Sequence, residues 1–328
     1  MTTPCRVLVT GASGFLGGHL CRALTLAGAT VRGLARDIHA VPAGCEAFEV
    51  VEGNRQSFVA ACSGVNAVVH CAGRAHVIRE SEADPLAAFR RANVCFTREL
   101  LDACTIAGVS RVVFLSSVAA LGRPDNGVLT SETPTRPATP YGVSKLEAEL
   151  LVAEWTRTTG MASVTLRPPM VYGPGMKGNP LRLFRALARG IPLPLASIEN
   201  QRSLLFVENL VAAIRLLLEI PLTGHQTYLV ADAESVSTPE LVRFIAQGLG
   251  RRARLVPAPL GLLRLCARVG DLGALLGLIG STSEAFARLT ESLVLDTSDL
   301  TAATGFTPPV EVEEGIALTA RSFLGGGP

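Results

Sequence analysis

Apolar runs alternate with helical patterns along the first half of the chain. The runs are rich in Val and Leu, and the segments between them carry apolar residues at three- and four-residue spacing, which is the period of a helix. Strands that are apolar throughout are typical of a parallel sheet with helices on both faces. The pattern predicts an α/β fold with strands at 5–11, 30–36, 67–73, 111–117 and 163–173, and helices ending near Leu26 and spanning 85–107 and 141–159.

The composition excludes several classes of protein. A formal net charge of +2, from 30 basic and 28 acidic residues, gives no basis for nucleic acid binding. The most apolar stretch, 260–280, is interrupted by Arg264, Arg268 and Asp271, so no integral membrane span is expected. The eight cysteines form no CxxC pair and no metal-ligand spacing, which predicts buried thiols and no metal site. No signal peptide is visible, and a cytoplasmic location is expected.

The first predicted strand runs into a glycine-rich turn and then a helix, in the sequence TGASGFLGGHL. Gly11, Gly14 and Gly17 form a GxxGxxG pattern, which permits a tight turn and lets a pyrophosphate approach the backbone. The free N–H groups at the start of a helix carry a partial positive charge that attracts phosphates. The arrangement predicts a dinucleotide-binding, Rossmann-type doubly wound sheet, with Ser13 as an additional hydroxyl donor in the loop.

The end of the second predicted strand distinguishes the two nicotinamide dinucleotides. A carboxylate there receives the ribose 2′-hydroxyl of NAD, whereas an arginine pairs with the 2′-phosphate of NADP. The chain has Ala35 and Arg36 at this place, with Asp37 one position later. Arg36 therefore favours NADP(H) as the cofactor over NAD(H), and a solvated loop arginine is the alternative interpretation.

Tyr141 and Lys145 lie four residues apart at the start of a predicted helix, and therefore on one face of it. A phenol has an unperturbed pKa of about 10, and a neighbouring ammonium group is expected to lower the pKa of Tyr141. Such a phenol can exchange a proton with a sugar hydroxyl while hydride moves to or from a nicotinamide. Ser117 follows a predicted strand at the sheet edge where ligands bind, and is the expected hydrogen-bond partner of the carbonyl oxygen.

The glycine loop, the strand-end serine, the YxxxK pair and a downstream RPxxVYGP segment together resemble the extended short-chain dehydrogenase/reductase family. The resemblance covers nearly the whole chain and implies a Rossmann-type domain with a smaller C-terminal α/β substrate-binding domain. It also implies that Ser117, Tyr141 and Lys145 are the catalytic residues. The cofactor-binding residues that it implies are Gly11, Ser13, Gly14, Phe15, Leu16, Gly17, Arg36, Asn54, Cys71, Ala72, Gly73, Asn93, Tyr141, Lys145 and Pro168.

One position departs from the pattern of this family. Family members often carry an Asp after the third strand that hydrogen-bonds the adenine amino group, whereas this chain has Gly53 and Asn54. The carbonyl oxygen of an asparagine can accept the same hydrogen bond. Adenine binding is therefore still expected, with Asn54 in place of the carboxylate.

After residue 173 the alternation weakens and prolines become frequent, which indicates a second, smaller region. The resemblance implies a cofactor domain formed by 1–167 with about 203–232. It implies a nucleotide-sugar-binding domain formed by 168–202 and 233–328.

The segments NPLRLF and RSLLFVENLV in this second region are similar to those of sugar-nucleotide enzymes. The resemblance implies that Arg202 contacts the diphosphate of the substrate and that Asn179 lies near the nucleotide or the sugar. It implies Arg288 as a second phosphate contact. The planar fork of an arginine suits a diphosphate, although a solvated arginine needs no such explanation.

Three reactions use the Ser-Tyr-Lys arrangement of the family. A 4,6-dehydratase needs an acid and a base directly after the serine, and Val118 and Ala119 at these positions transfer no protons. A 4-ketoreductase and a 4-epimerase share every catalytic residue. We favour the 4-ketoreductase because Arg36 indicates NADPH, and the resemblance implies a UDP-4-keto-6-deoxy-N-acetylhexosamine of bacterial surface polysaccharide synthesis as substrate. The alternatives are a UDP-sugar 4-epimerase with retained NAD and a non-catalytic NAD(P)-binding sensor or scaffold.

The helices predicted at 85–107 and 141–159 carry apolar residues on more than one face, including Leu100, Leu150 and Trp155. In the family the equivalent helices pair across a two-fold axis, so the resemblance implies a homodimer. The alternative is that these faces only pack on the sheet.

Overall fold

The computed structural model describes residues 6–51, 53–75, 84–123, 127–178, 180–259, 261, 286–287 and 289–325. Its centre is a seven-stranded sheet in which every neighbouring pair of strands is parallel. Numbered along the chain, its strands are β1 Arg6–Thr10, β2 Thr30–Ala35, β3 Glu46–Glu49, β4 Ala67–His70, β5 Arg111–Leu115, β7 Ala162–Arg167 and β10 His225–Leu229. The spatial order β3-β2-β1-β4-β5-β7-β10 reverses direction between β1 and β4, where a doubly wound sheet binds its ligand.

Two smaller sheets accompany the main one. A three-stranded sheet is formed by β8 Met170–Tyr172, β9 Arg202–Phe206 and β11 Ser235–Val236, with β9 in the middle. A two-stranded parallel sheet is formed by β6 Val128–Leu129 and β12 Val294–Leu295. These strands connect segments that lie far apart in the sequence.

Helices follow most strands of the main sheet. In the described part of the chain they are α1 Phe15–Leu26, α2 Arg55–Cys62, α3 Pro85–Phe89, α4 Phe96–Ala107, α5 Pro140–Thr159, α6 Pro180–Ala188, α7 Val207–Glu219, α8 Thr238–Gly248, α9 Ser298–Thr304 and α10 Val312–Leu324. A π-helical segment, Arg90–Cys95, joins α3 to α4, and short 3₁₀ turns lie at Ile38–Ala40 and Val118–Ala120.

Both faces of the main sheet are covered, as its apolar strands predict. On one face the buried cluster includes Leu20 of α1 and Ile214 of α7. On the other face it includes Phe58 of α2, Leu100 of α4 and Val152 of α5. The predicted Rossmann-type doubly wound sheet is therefore confirmed.

Two of the elements predicted from the sequence differ from those in the structure. The strand predicted at 163–173 is wrong as a single strand, because β7 ends at Arg167 and β8 belongs to a different sheet. Pro168 and Pro169 lie between them, and prolines supply no N–H to continue the ladder of β7. The helix predicted at 85–107 is continuous in extent, but its middle turn is π-helical rather than α-helical.

The predicted division into two domains stays a prediction. The strand β10 adds to the main sheet, whereas β9 pairs with β8 and β11. Among the described residues no helix is long and apolar enough to cross a membrane.

Candidate functional site

The glycine loop between β1 and α1 has a backbone that other residues would disturb. Gly11 has φ 69°, in the left-handed region that favours glycine. A Cβ atom on Gly17 would lie 2.1 Å from the carbonyl oxygen of Gly11, so only glycine lets the helix start this close to the turn. Gly14 caps α1 without a side-chain hydrogen bond, and the first turn of α1 has no acidic residue. The N–H groups of Phe15 and Leu16 therefore face a place that fits a pyrophosphate.

The other loop residues predicted to bind the cofactor lie near this turn. Ser13 is exposed in the glycine loop, and Arg36 is exposed directly after β2. The carboxylate of Asp37 accepts a hydrogen bond from the backbone N–H of His39 at 3.0 Å and so caps the 3₁₀ turn. The side-chain oxygen of Asn54 caps α2 by accepting from the N–H groups of Gln56 and Ser57. The same oxygen would have to accept a further hydrogen bond in order to bind the adenine amino group. An adenine contact by Asn54 stays a prediction.

The loop after β4 is held against the catalytic helix by Asn93. The side chain of Asn93, in the π-helical segment, accepts from the N–H of Arg74 at 2.7 Å and donates to its carbonyl oxygen at 3.1 Å. It also donates to the hydroxyl of Ser144 on α5 at 2.9 Å. A Cβ atom on Gly73 would lie 3.0 Å from Asn93 Oδ1 and 4.0 Å from Lys145 Nζ. Glycine at this position therefore lets the loop pass close to the lysine.

A buried histidine connects the same loop region to the glycine loop. His70, at the end of β4, is hydrogen-bonded to the hydroxyls of Thr10 at 2.7 Å and Thr97 at 2.9 Å. The hydroxyl of Thr10 also accepts from the N–H of Ala72 at 3.1 Å. Burial lowers the pKa of His70 to about 3, so the ring is neutral. Cys71, beside it, has its thiol pKa raised to about 12 by burial.

The structure brings the three predicted catalytic residues together. The hydroxyl of Ser117, just after β5, accepts from the N–H of Ala119 at 3.2 Å. The Ser117 side chain also lies close enough to the phenol of Tyr141 to act on the pKa of Tyr141. One turn along α5, the ammonium group of Lys145 donates to the carbonyl oxygen of Leu115 at 2.5 Å. It also lies 4.3 Å from the centre of the Phe114 ring. Side chains from β5 and α5 thus form one cluster at the carboxyl edge of the sheet.

The electrostatics of this cluster differ from the expectation based on sequence. Burial raises the pKa of Tyr141, and the Ser117 hydrogen bond is the interaction that opposes the rise. The net lowering of the Tyr141 pKa that the sequence predicts is therefore wrong for this structure, because the removal of Tyr141 from water is the dominant effect. Burial also lowers the pKa of Lys145 to about 8, and the charge of Glu149 opposes this change.

Sequence reasoning missed several residues that shape the cluster. The ring of Phe89, on α3, lies 5.8 Å from that of Tyr141, and the guanidinium of Arg74 lies 5.4 Å from the Phe89 ring. Ser116 and Glu149 are hydrogen-bonded behind the cluster. Of these, Glu149 had a signal in the sequence, since it follows Tyr141 and Lys145 at the same four-residue spacing.

Pro168, a predicted cofactor-binding residue, accepts at its carbonyl oxygen a hydrogen bond from the N–H of Val118 at 3.1 Å, and this bond joins the end of β7 to the turn after Ser117. The predicted substrate residues have less direct support. Arg202, at the start of β9, donates to the carbonyl oxygen of Glu291 at 2.8 Å, and its diphosphate contact stays a prediction. Asn179 and Arg288 lie outside the described residues.

The site and the fold define a nicotinamide-dependent oxidoreductase of the extended short-chain type. Residues 7–231 match the NAD dependent epimerase/dehydratase family. This match covers more than half of the chain, and the protein belongs to that family. The predicted resemblance and the predicted enzyme class are confirmed.

Relatives and solved structures extend this result over the whole chain. The chain is 36% identical to a UDP-glucose 4-epimerase of Vibrio cholerae over 330 residues, 98% of this chain and 96% of that protein. It is 28% identical over 266 residues to an N-acetyl-α-D-glucosaminyl-diphospho-ditrans,octacis-undecaprenol 4-epimerase of Escherichia coli O157:H7, covering 78% of this chain and 77% of that protein. MoeE5 in complex with UDP-glucuronic acid and NAD superposes with a TM-score of 0.76 at 27% identity, covering 98% of this chain and 99% of that chain.

Proposed function

We propose that the protein transfers hydride at C4 of a sugar that is linked to a nucleoside diphosphate. The observation that carries this proposal is the grouping of Ser117, Tyr141 and, one turn away on α5, Lys145 at the end of β5, beside the loop after β4. The bound nicotinamide dinucleotide supplies and accepts the hydride, and the residues of the glycine loop fit its pyrophosphate.

The cluster provides the proton chemistry that such a transfer needs. Because burial keeps the Tyr141 phenol protonated, it can donate a proton to the sugar O4 when a ketone is reduced, and remove it again in the reverse direction. Ser117 can bond the same oxygen while it orients the phenol. The ammonium charge of Lys145 stabilises the phenolate that forms during the transfer.

A 4-epimerase is the first candidate for the overall reaction. The Vibrio cholerae relative, which is 36% identical over 98% of this chain, is a UDP-glucose 4-epimerase, and this supports the same reaction here. Epimerisation at C4 needs oxidation and reduction at one site with retained cofactor. It uses the same three residues in both directions.

The 4-ketoreductase favoured by the sequence is the second candidate. It is supported by Arg36, whose exposed position after β2 is suited to the 2′-phosphate of NADPH. In this case the protein would reduce a UDP-4-keto-6-deoxy-N-acetylhexosamine and release the oxidised cofactor. A non-catalytic sensor is disfavoured, because all three catalytic side chains are present and lie at the same end of β5.

One pair of assays distinguishes the candidates. UDP-glucose and UDP-N-acetylglucosamine are incubated without added cofactor, and their C4 epimers are measured by NMR. The 4-keto sugar is incubated with NADPH or NADH, and absorbance at 340 nm is followed. Epimer formation supports the epimerase, and stoichiometric loss of absorbance supports the reductase. Absence of both, in protein shown to bind NAD(H) or NADP(H), overturns the proposal.

A further inference from the structure

The helix α5 faces the end of β5 with three polar side chains that share one face. Tyr141, Lys145 and Glu149 follow each other at four-residue spacing, so they lie one above the other along the helix. Tyr141 meets Ser117, and Lys145 meets the carbonyl oxygen of Leu115. Glu149 completes the series, but a hydride transfer at C4 assigns it no step.

Glu149 is bound on two sides by residues of the sheet. The hydroxyl of Ser116, directly before the catalytic serine, donates to Glu149 Oε1. Arg167, at the end of β7, donates from Nε at 3.0 Å to Oε1 and from Nη2 at 2.6 Å to Oε2. The exposed fractions of Glu149 and Arg167 are only 4% and 9%. A buried ion pair of this kind adds little net stability compared with apolar packing, so its presence here invites a functional explanation.

We propose that Glu149 is a positioning residue of the active site, which holds Ser116 and the adjoining Ser117 against α5 and supplies the negative charge beside Lys145. This inference rests on the proposed function for its effect on turnover. The Ser116 hydroxyl fixes the first residue after β5, and Arg167 fixes the carboxylate in place. Each catalytic side chain on α5 then has a defined partner at the end of β5.

Burial and the charge of Glu149 act on the pKa of Lys145 in opposite directions. Burial lowers the pKa of Lys145 to about 8, and Glu149 is the first of the neighbours that raise it again. His70 and Cys71, which face Lys145 from the loop after β4, are both held neutral by burial. Removal of the Glu149 charge would therefore lower the pKa of Lys145 further.

Two basic side chains near Glu149, Arg167 and His225, differ in their charge at neutral pH. Arg167 is paired with Glu149, and it would be left as a buried cation without this partner if Glu149 lost its charge. His225, on β10, has its pKa lowered by burial and therefore adds no charge at neutral pH. Glu149→Gln thus removes an anion and exposes a cation, and both changes shift the titration of Lys145 to lower pH.

The chain allows this titration to be measured directly. Its two lysines are Lys145 and Lys177, so protein labelled with ¹³Cε-lysine gives two side-chain signals, which Lys177→Arg assigns. In the unsubstituted protein we expect Lys145 to titrate near pH 8, and in Glu149→Gln at lower pH. The signal of the exposed Lys177 serves as the internal reference in both proteins.

Two further variants distinguish an effect of charge on the Lys145 titration from an effect of disturbed structure. Arg167→Lys keeps the cation and adds a third lysine, whose signal is identified because the unsubstituted protein lacks it. The Lys145 signal of this variant is expected to titrate as in the unsubstituted protein. The double variant Glu149→Gln with Arg167→Gln removes both charges, so Lys145 is expected to titrate above its position in Glu149→Gln alone. A purely structural role for the pair would give no such recovery. An unchanged or higher titration of Lys145 in Glu149→Gln overturns the electrostatic part of the inference.

The positional part is tested with Ser116→Ala, which removes the contact but no charge. We expect the Lys145 titration to be unchanged and kcat to fall by up to about 100-fold with little change in KM, because Ser117 loses its fixed place. An unchanged kcat of Ser116→Ala overturns the positional role. This test holds even if the Glu149→Gln variant does not fold. The NMR titration needs no turnover. Failure of the proposed function therefore shows in the sugar assays, and failure of this inference shows in the titrations.

Discussion

At the scale of single residues, burial and contact set the chemistry of the site more than sequence spacing does. The YxxxK spacing correctly predicts that Tyr141 and Lys145 share a helix face, and their cluster with Ser117 is present. The spacing alone does not indicate that burial raises the pKa of the tyrosine and lowers that of the lysine. Burial is the largest cause of both shifts, and it depends on packing against elements distant in sequence, so it requires the fold.

Tyr141→Phe removes the hydroxyl that exchanges the proton and leaves the ring in place. We expect kcat to fall by about 100- to 10,000-fold, which is the usual contribution of a general acid or base. Cofactor affinity, measured by fluorescence titration, is expected to stay within a factor of a few. Tyr228→Phe, the same change on β10, is the control and should keep full activity. Equal activity of Tyr141→Phe and the unsubstituted protein would show that the phenol takes no part.

At the scale of elements, the apolar runs predict the order of strands and helices of the main sheet, but not its interruptions. The break of the strand predicted at 163–173 follows from Pro168 and Pro169, which the pattern of apolar residues does not register. The π-helical turn is likewise invisible in the sequence, although it carries Asn93 to the loop after β4. Interruptions of this kind lie beside the site because they direct side chains toward it.

Gly142, in the first turn of α5, lets this helix touch the 3₁₀ turn after Ser117. A Cβ atom there would lie 2.2 Å from the carbonyl oxygen of Ala119, which is backbone and has little freedom to move. Gly142→Ala is therefore expected to separate Tyr141 from Ser117 and to lower kcat by about 100-fold, since small misplacements have effects of this size.

A matched control shows whether the added methyl group itself matters. In Gly325→Ala, at the end of α10, the nearest contact of the new Cβ would be an ordinary 3.6 Å. We expect normal activity and an unchanged melting temperature for this variant. Full activity of Gly142→Ala would contradict the close approach of α5 and the 3₁₀ turn.

At the scale of the whole molecule, apolar side chains remain exposed on the helices that the sequence assigns to a dimer interface. Leu150 on α5 is 61% exposed and Ile106 on α4 is 54% exposed. The two helices also pack against each other on the same face of the sheet. We propose that this surface pairs with its copy in a second chain, as the family resemblance implies.

Leu150→Asp places a charge in the centre of the proposed interface. We expect the unsubstituted protein to have twice the 34.4 kDa mass of one chain in light scattering after size-exclusion chromatography, and the variant to shift toward one chain. Leu26→Asp, at a residue 89% exposed on α1, is the control and should stay dimeric. A single-chain mass for the unsubstituted protein would refute the dimer, and an unchanged mass for Leu150→Asp would refute this surface.

The Ser117–Tyr141–Lys145 cluster is proposed to support hydride transfer at C4 of the sugar. The most direct measurement uses a UDP-hexose with deuterium at C4, incubated with the protein and either NAD⁺ or NADP⁺, and locates the label by NMR. We predict deuterium at C4 of the epimer or on the nicotinamide ring, and neither in Tyr141→Phe. Epimerisation with loss of the deuterium to water would contradict this role of the cluster. Recovery of only the unreacted sugar, in protein shown to bind the cofactor and the sugar, would contradict it as well.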